Sequence, residues 1–204
     1  PNGQFAHTPE PTAENLAGLC EDVRKAGADI GFAQDPDADR LAIVDDKGRY
    51  VGEEYTLALA AKFMFATRPG PAATNLSTSR MIDDLAAKAG GKVKVYRTAV
   101  GEANVARAIM DHGCVIGGEG NGGIIDPRVV LVRNSLVGMA LSLSLLADDQ
   151  RPLSSIVDEM PHYVMVKQKF EMNREQVATW LQRVRGAVGG GKLNDADGLR
   201  IDWP

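Results

Sequence analysis

From residue 54 to residue 147 short apolar runs take turns with longer stretches of helical period, and few folds accept that pattern. Residues 54–66 read as a helix, 73–77 as a strand and 79–89 as a helix opened by Ser79 and closed by Gly90-Gly91. Residues 93–97 read as a strand, 102–112 as a helix ended by Gly113, 115–116 as a strand and 136–147 as a helix. Strands separated by about ten helical residues do not return as tight hairpins. They lie parallel, with each helix crossing over the sheet. The expected class is α/β, with mixed sheets and crossover helices.

The flanks read differently. Thr12 is placed to cap a helix over 13–25, with Leu16, Leu19, Cys20 and Val23 on one face and Gly27 as its stop. Strands are expected at 29–33 and 41–44, with a turn at Asp46-Lys47-Gly48. Beyond a short helix at 152–160, residues 163–204 read as a strand, a helix over 174–185, a Gly189-Gly190-Gly191 linker and one strand carrying Leu199, Ile201 and Trp203. That last strand stops abruptly, and the chain is expected to be part of a longer polypeptide at both ends. Met64, Met81, Met110 and Met139 fall on apolar helical faces and are expected in the core.

Composition excludes several functions. With 27 acidic and 23 basic residues the net charge is -4, which weighs against nucleic acid or an anionic membrane as partner. No apolar run reaches the roughly 20 residues that a membrane-spanning helix needs. The only cysteines, Cys20 and Cys114, cannot form a disulfide-dense scaffold, a four-cysteine zinc site or a CxxC pair. Free thiols and the lack of a leader-like segment fit a reducing, cytoplasmic setting. His7, His112 and His162 are scattered, with no metal-ligand spacing.

Two loops carry chemistry. Asp35-Pro36-Asp37-Ala38-Asp39-Arg40 places three carboxylates at alternate positions between two apolar strands. Crowded carboxylates repel, and a divalent cation relieves the repulsion; an all-oxygen set suits Mg²⁺, Ca²⁺ or Mn²⁺ rather than zinc. Arg40 adds a planar cation suited to a phosphate. An EF-hand is excluded, because its sixth and twelfth positions would be Arg40 and Asp46 instead of Gly and Glu. A haloacid-dehalogenase-type phosphatase, with Asp35 as nucleophile and Asp37 as acid, stays open as an alternative, as does a non-catalytic metal- and sugar-binding module. The second loop, Gly117 to Gly123, contains the letters G-x-G-x-x-G but runs into Ile124-Ile125-Asp126-Pro127, not into a helix. It therefore lacks the helix N-terminus that a dinucleotide site uses. It reads instead as a glycine-permitted bend that presents Glu119 and Asn121, groups suited to sugar hydroxyls.

These stretches resemble the α-D-phosphohexomutase family of phosphoglucomutases, phosphomannomutases and phosphoglucosamine mutases. The lead-in Pro1-Asn2-Gly3-Gln4-Phe5 with Pro9-Glu10-Pro11, the aspartate loop, Arg97-Thr98-Ala99-Val100-Gly101 and the glycine loop carry the resemblance, in order and spacing. It implies that residues 1–48 are the later part of domain 2, that 49–165 are domain 3, and that 166–204 are a linker and the start of domain 4. It also implies Mg²⁺ on Asp35, Asp37 and Asp39, a phosphoryl contact from Arg40, and substrate contacts from Thr98, Gly101, Glu119 and Asn121. The reaction implied interconverts hexose 1- and 6-phosphates through a phosphoserine and a bisphosphate. The family's serine stretch is not found here, so the chain alone is expected to be inactive and to depend on the remaining domains of its polypeptide. It departs from many bacterial relatives at Asn121, Gly123 and Glu102, where they carry Ser, His, and His or Asp.

Overall fold

A computed structural model of the chain describes residues 4–5, 8–90, 93–166 and 168–203. Residues 1–3 of the lead-in, His7 and Gly91 lie outside the described residues.

Helix α1 (Ala17–Ala26) begins later than the Thr12 cap predicts. The Asn15 side chain reaches back to the Glu10 carbonyl at 2.8 Å, a local bond that competes with helix formation. Gly27 ends the helix in the left-handed conformation, as read from the sequence. Strands β1 (Ile30–Gln34) and β2 (Leu41–Asp45) pair antiparallel from Ile30↔Asp45 to Gln34↔Leu41. The aspartate loop is therefore the tip of a hairpin. All five β2 residues are buried, because α1 packs on the hairpin and two later helices pack against β2.

The alternating segment forms α2 (Glu53–Thr67), β3 (Ala72–Asn75), α3 (Met81–Lys88), β4 (Val95–Thr98), α4 (Glu102–His112), β5 (Ile116–Glu119), β6 (Gly123–Ile125) and α5 (Ser135–Asp149). The sheet order is β4-β3-β5-β6. Strand β3 runs parallel to β4 and β5, and β6 returns antiparallel to β5. Period-2 alternation sends Ala72 and Ile124 into the large core with α2, α3 and α5, and sends Ala73 and Ile125 to the opposite face with Val105 and Ile109 of α4. The chain steps from β3 outward to β4 over one face and back to β5 over the other, as right-handed crossovers require. Helix α2 is apolar nearly all round and is packed between α3, α5 and the strands.

Several expectations are corrected. The glycine stretch is not a free bend: Gly117 to Glu119 belong to β5, and only residues 120–122 turn. Arg80 takes the N-cap position of α3, and Ser79 serves the helix start from one residue earlier: its hydroxyl accepts the Met81 N–H at 3.4 Å and donates to Glu54 at 2.9 Å. Residues 161–166 hold no strand. After α6 (Leu153–Asp158) and α7 (Arg174–Ala187), the end of the chain forms a hairpin, β7 (Lys192–Asn194) and β8 (Arg200–Asp202), where a linker and one strand were expected. Met64 and Met81 are core residues, but Met110 is exposed on the outer face of α4.

Candidate active site

The site gathers at the C-terminal ends of β3, β4 and β5, where an open parallel sheet leaves backbone groups and loops free to meet a ligand. The hairpin tip joins it there. Leu41 at the start of β2 donates its N–H to the Gly122 carbonyl at 3.0 Å. The contact requires glycine: Gly122 has φ +93°, and a Cβ there would lie 2.6 Å from the Leu41 carbonyl oxygen. Ser135, at the start of α5, adds two bonds to the Ala38 carbonyl, from its N–H at 3.0 Å and its hydroxyl at 2.7 Å.

Within the tip, Asp35 is only 4% exposed. Its Oδ1 accepts the N–H groups of Asp39 at 3.1 Å and Arg40 at 3.0 Å, and its Oδ2 accepts Arg40 Nε at 2.6 Å. Burial pushes this carboxyl up, but the Arg40 backbone and side-chain bonds outweigh it and hold Asp35 below the usual range. Asp39 goes the other way. Burial, the hydrogen bond with Asp35 and the charges of Asp35 and Asp37 push it to about 6, in spite of Arg133. Asp37 is exposed. Asp35, Asp37 and Asp39 each offer an oxygen within 4.8 Å of the others, a spacing that fits oxygens around one divalent cation. Asp35 is a poor nucleophile here, because both its oxygens are tied to Arg40 and backbone N–H groups.

Glu119, at the end of β5, is also 4% exposed. Oε1 accepts Asn75 Nδ2 at 2.6 Å and the Gly101 N–H at 3.2 Å. Oε2 accepts Arg133 Nη1 at 2.7 Å and Asn121 Nδ2 at 3.5 Å. Three strand ends thus converge on one carboxylate. Thr98 is half-buried, and its hydroxyl donates to the Ala99 carbonyl at 2.8 Å. Arg40 and Asn121 share the wall of a cavity of about 330 Å³ with Tyr50 and Glu53, and burial pushes the Tyr50 phenol up to about 12. Beyond Gly120, whose N–H donates to Thr78 Oγ1 at 2.9 Å, a larger cavity of about 620 Å³ opens among Glu54, Tyr55, Ser77, Ser79 and Arg200.

The residue that sequence reasoning missed is Arg133. Its guanidinium reaches Asp39 through Nη2, Glu119 through Nη1 and Glu102 through Nε at 3.1 Å, and its backbone N–H also donates to Glu102 at 2.9 Å. Gly123 makes room for its stem, since a Cβ there would lie 2.2 Å from Arg133 Cδ. The local signal was thin: one arginine before Asn134, the N-cap of α5.

The site combines an α/β/α layer with an acidic hairpin tip and a buried glutamate at the strand ends, and comparison shows the family to which this class of fold belongs. Residues 52–163 match the family described as phosphoglucomutase/phosphomannomutase, alpha/beta/alpha domain III, and residues 1–48 match its alpha/beta/alpha domain II. The chain belongs to the phosphoglucomutase/phosphomannomutase family. It is 38% identical to a phosphoglucomutase/phosphomannomutase of Thermococcus kodakarensis, over 98% of this chain and 44% of the relative. It is 36% identical to a protein of Methanopyrus kandleri named "probable phosphoglucosamine mutase", over 99% of this chain and 45% of the relative. A phosphoglucomutase/phosphomannomutase family protein from Burkholderia thailandensis shares the fold, with a TM-score of 0.81 at 23% identity, over 97% of this chain and 43% of that one. The chain spans under half the length of the curated relatives it matches.

Proposed function

We propose that this chain is the cation- and sugar-binding part of a phosphohexose mutase that interconverts hexose 1- and 6-phosphates through a phosphoserine and a bisphosphate intermediate. The observation that carries the reading is the junction of the two loops: one guanidinium touches both Asp39 of the acidic tip and Glu119 of the glycine loop. On this reading residues 1–48 belong to domain 2, 49–165 to domain 3 and 166–204 to the start of domain 4. The substrate is a hexose phosphate, the remaining domains supply the serine, and the setting is cytoplasmic.

Asp35, Asp37 and Asp39 would hold Mg²⁺, which neutralises charge on the phosphoryl group in transfer. Arg40, fixed through Nε by Asp35 and with Nη1 only 3.9 Å from the exposed Glu10 carboxylate, would turn its Nη edge to a phosphoryl oxygen. Glu119 and Asn121 present the polar edge of the glycine loop to the sugar, with Thr98 and Gly101 forming the adjoining wall. A mutase must hold its sugar in two orientations. A carboxylate and a carboxamide suit that task, because they accept or donate to hydroxyls at similar places after the flip.

Kinetics in both directions test this in the polypeptide that carries the remaining domains. Glu119→Ala is expected to lower kcat/KM about ten- to a hundredfold with the 1-phosphate and the 6-phosphate alike, the scale of a hydrogen bond to a charged group. Unchanged kcat/KM in both directions would leave the glycine loop a plain turn.

A further inference from the structure

We propose that Arg133 is a cation-gated substrate-binding residue: it occupies Asp39 while the acidic tip is empty and is handed over to the substrate when the tip is loaded. The inference rests on the proposed use of Asp35, Asp37 and Asp39 as cation ligands and adds a residue and a rule to it.

The geometry points to this role. The Arg133 side chain is 18% exposed and lies among three carboxylates from three elements: Asp39 on the hairpin tip, Glu102 at the start of α4 and Glu119 at the end of β5. The contacts are not equivalent. Glu102 takes both Nε and the Arg133 backbone N–H, so the root of the guanidinium is fixed on α4. Glu119 takes Nη1 and is itself fixed by Asn75 and the Gly101 N–H. Only the Nη2 partner, Asp39, belongs to the set that can hold a cation.

A divalent cation and a guanidinium compete for the carboxylate of Asp39, because like charges at such distances repel strongly in a shielded site. Loading the tip therefore costs Arg133 its Nη2 partner, while Glu102 and Glu119 keep the head group in place. The planar fork then presents Nη2 between the cation loop and the sugar loop without a carboxylate to receive it. A phosphoryl oxygen of a sugar phosphate is the acceptor that fits such a group. Binding would be ordered in consequence: the arginine is available to substrate only once the cation is in place.

Titration of Mg²⁺ into the 204-residue chain by calorimetry tests the competition, with the Asp35/Asp37/Asp39 triple Asn variant as reference. Arg133→Gln is expected to bind Mg²⁺ about tenfold tighter than the wild type, about 1.4 kcal/mol, since the competitor is gone. Arg133→Lys, which keeps the charge but cannot span three carboxylates, is expected between the two and serves if the Gln variant fails to fold. In the wild type the Arg133 side-chain Nε–H resonance, assigned by its loss in Arg133→Lys, is expected to shift during the same titration. Equal or weaker Mg²⁺ binding by a folded Arg133 variant, or a resonance that does not move while Mg²⁺ binds, overturns the gate and leaves the cation site standing. Wild type and triple Asn variant giving the same heats refutes the cation site itself, and the gate with it.

Discussion

Gly122→Ala is the sharpest test of how the acidic tip is fastened to the glycine loop. An L residue at φ +93° carries strain of about 1–2 kcal/mol. The new Cβ would also stand 2.6 Å from the Leu41 carbonyl oxygen and 3.2 Å from its nitrogen. Both are backbone atoms at the start of a fully buried strand, so neither moves aside alone. Relief comes from separating β2 from the loop, which breaks the 3.0 Å bond from Leu41 N–H to the Gly122 carbonyl, worth about 1 kcal/mol. The sum is about 2–3 kcal/mol. Equilibrium unfolding in urea, followed by circular dichroism, is the assay, with the slope checked for constancy. Gly18→Ala is the matched control. Gly18 lies in α1 with nothing within 4 Å of its would-be Cβ, and this change is expected to stabilise by about 0.5–1 kcal/mol. A Gly122→Ala protein within about 0.5 kcal/mol of the wild type would show that the junction does not depend on this close approach.

Two further outcomes follow from ionisation. Asp39 holds its proton up to about pH 6 when folded but releases it near 3.8 when unfolded, so the native state binds more protons between those values. This group therefore adds stability as pH falls from about 6 towards 4, and Mg²⁺ affinity measured by calorimetry is expected to fall about tenfold per pH unit below pH 6; an affinity flat from pH 7.5 to 5 would refute the Asp39 role. Burial pushes the Cys114 thiol up to about 11, so iodoacetamide at pH 8 is expected to modify Cys20 first and Cys114 only in urea, as read by mass spectrometry; equal labelling of the native protein would contradict the burial.

The helices and parallel strands were legible because period and length are local properties. Helix α4 begins and ends at Glu102 and His112, where the sequence puts it, since Gly101 and Gly113 bracket an amphipathic run. Strand β6 was not legible, and β5 only at its first residue, Ile116, because Gly117, Gly118 and Gly123 give a strand no apolar alternation to display. The run Val129 to Val132 misleads in the opposite sense. It looks like a strand, yet Asp126 accepts the N–H groups of Val129 and Val130 through its carbonyl and pairs with Arg128, which folds the run into turns. At the site, the aspartates and Glu119 announced themselves by spacing. Arg133 did not, because its partners lie 94, 31 and 14 positions away and leave no pattern along the chain.

The family boundary between residues 48 and 52 falls between two units of sequence, but it is not a mechanical seam. Strand β2 lies against α2 and α5, its first residue is hydrogen-bonded to Gly122, and Ser135 grips Ala38. The C-terminal hairpin, by contrast, meets the rest through a few polar bonds: Asp197 to the Val100 N–H, Arg200 to the Leu76 and Thr78 carbonyls, and Arg80 to the Trp203 carbonyl. Such contacts can be traded for water one at a time, whereas an apolar seam parts only as a whole. If a bisphosphate must turn over within this site, the acidic tip and the glycine loop behave as one rigid jaw. On the proposed reading, any movement that the turn needs is expected in the segment after α6, where the contacts are polar.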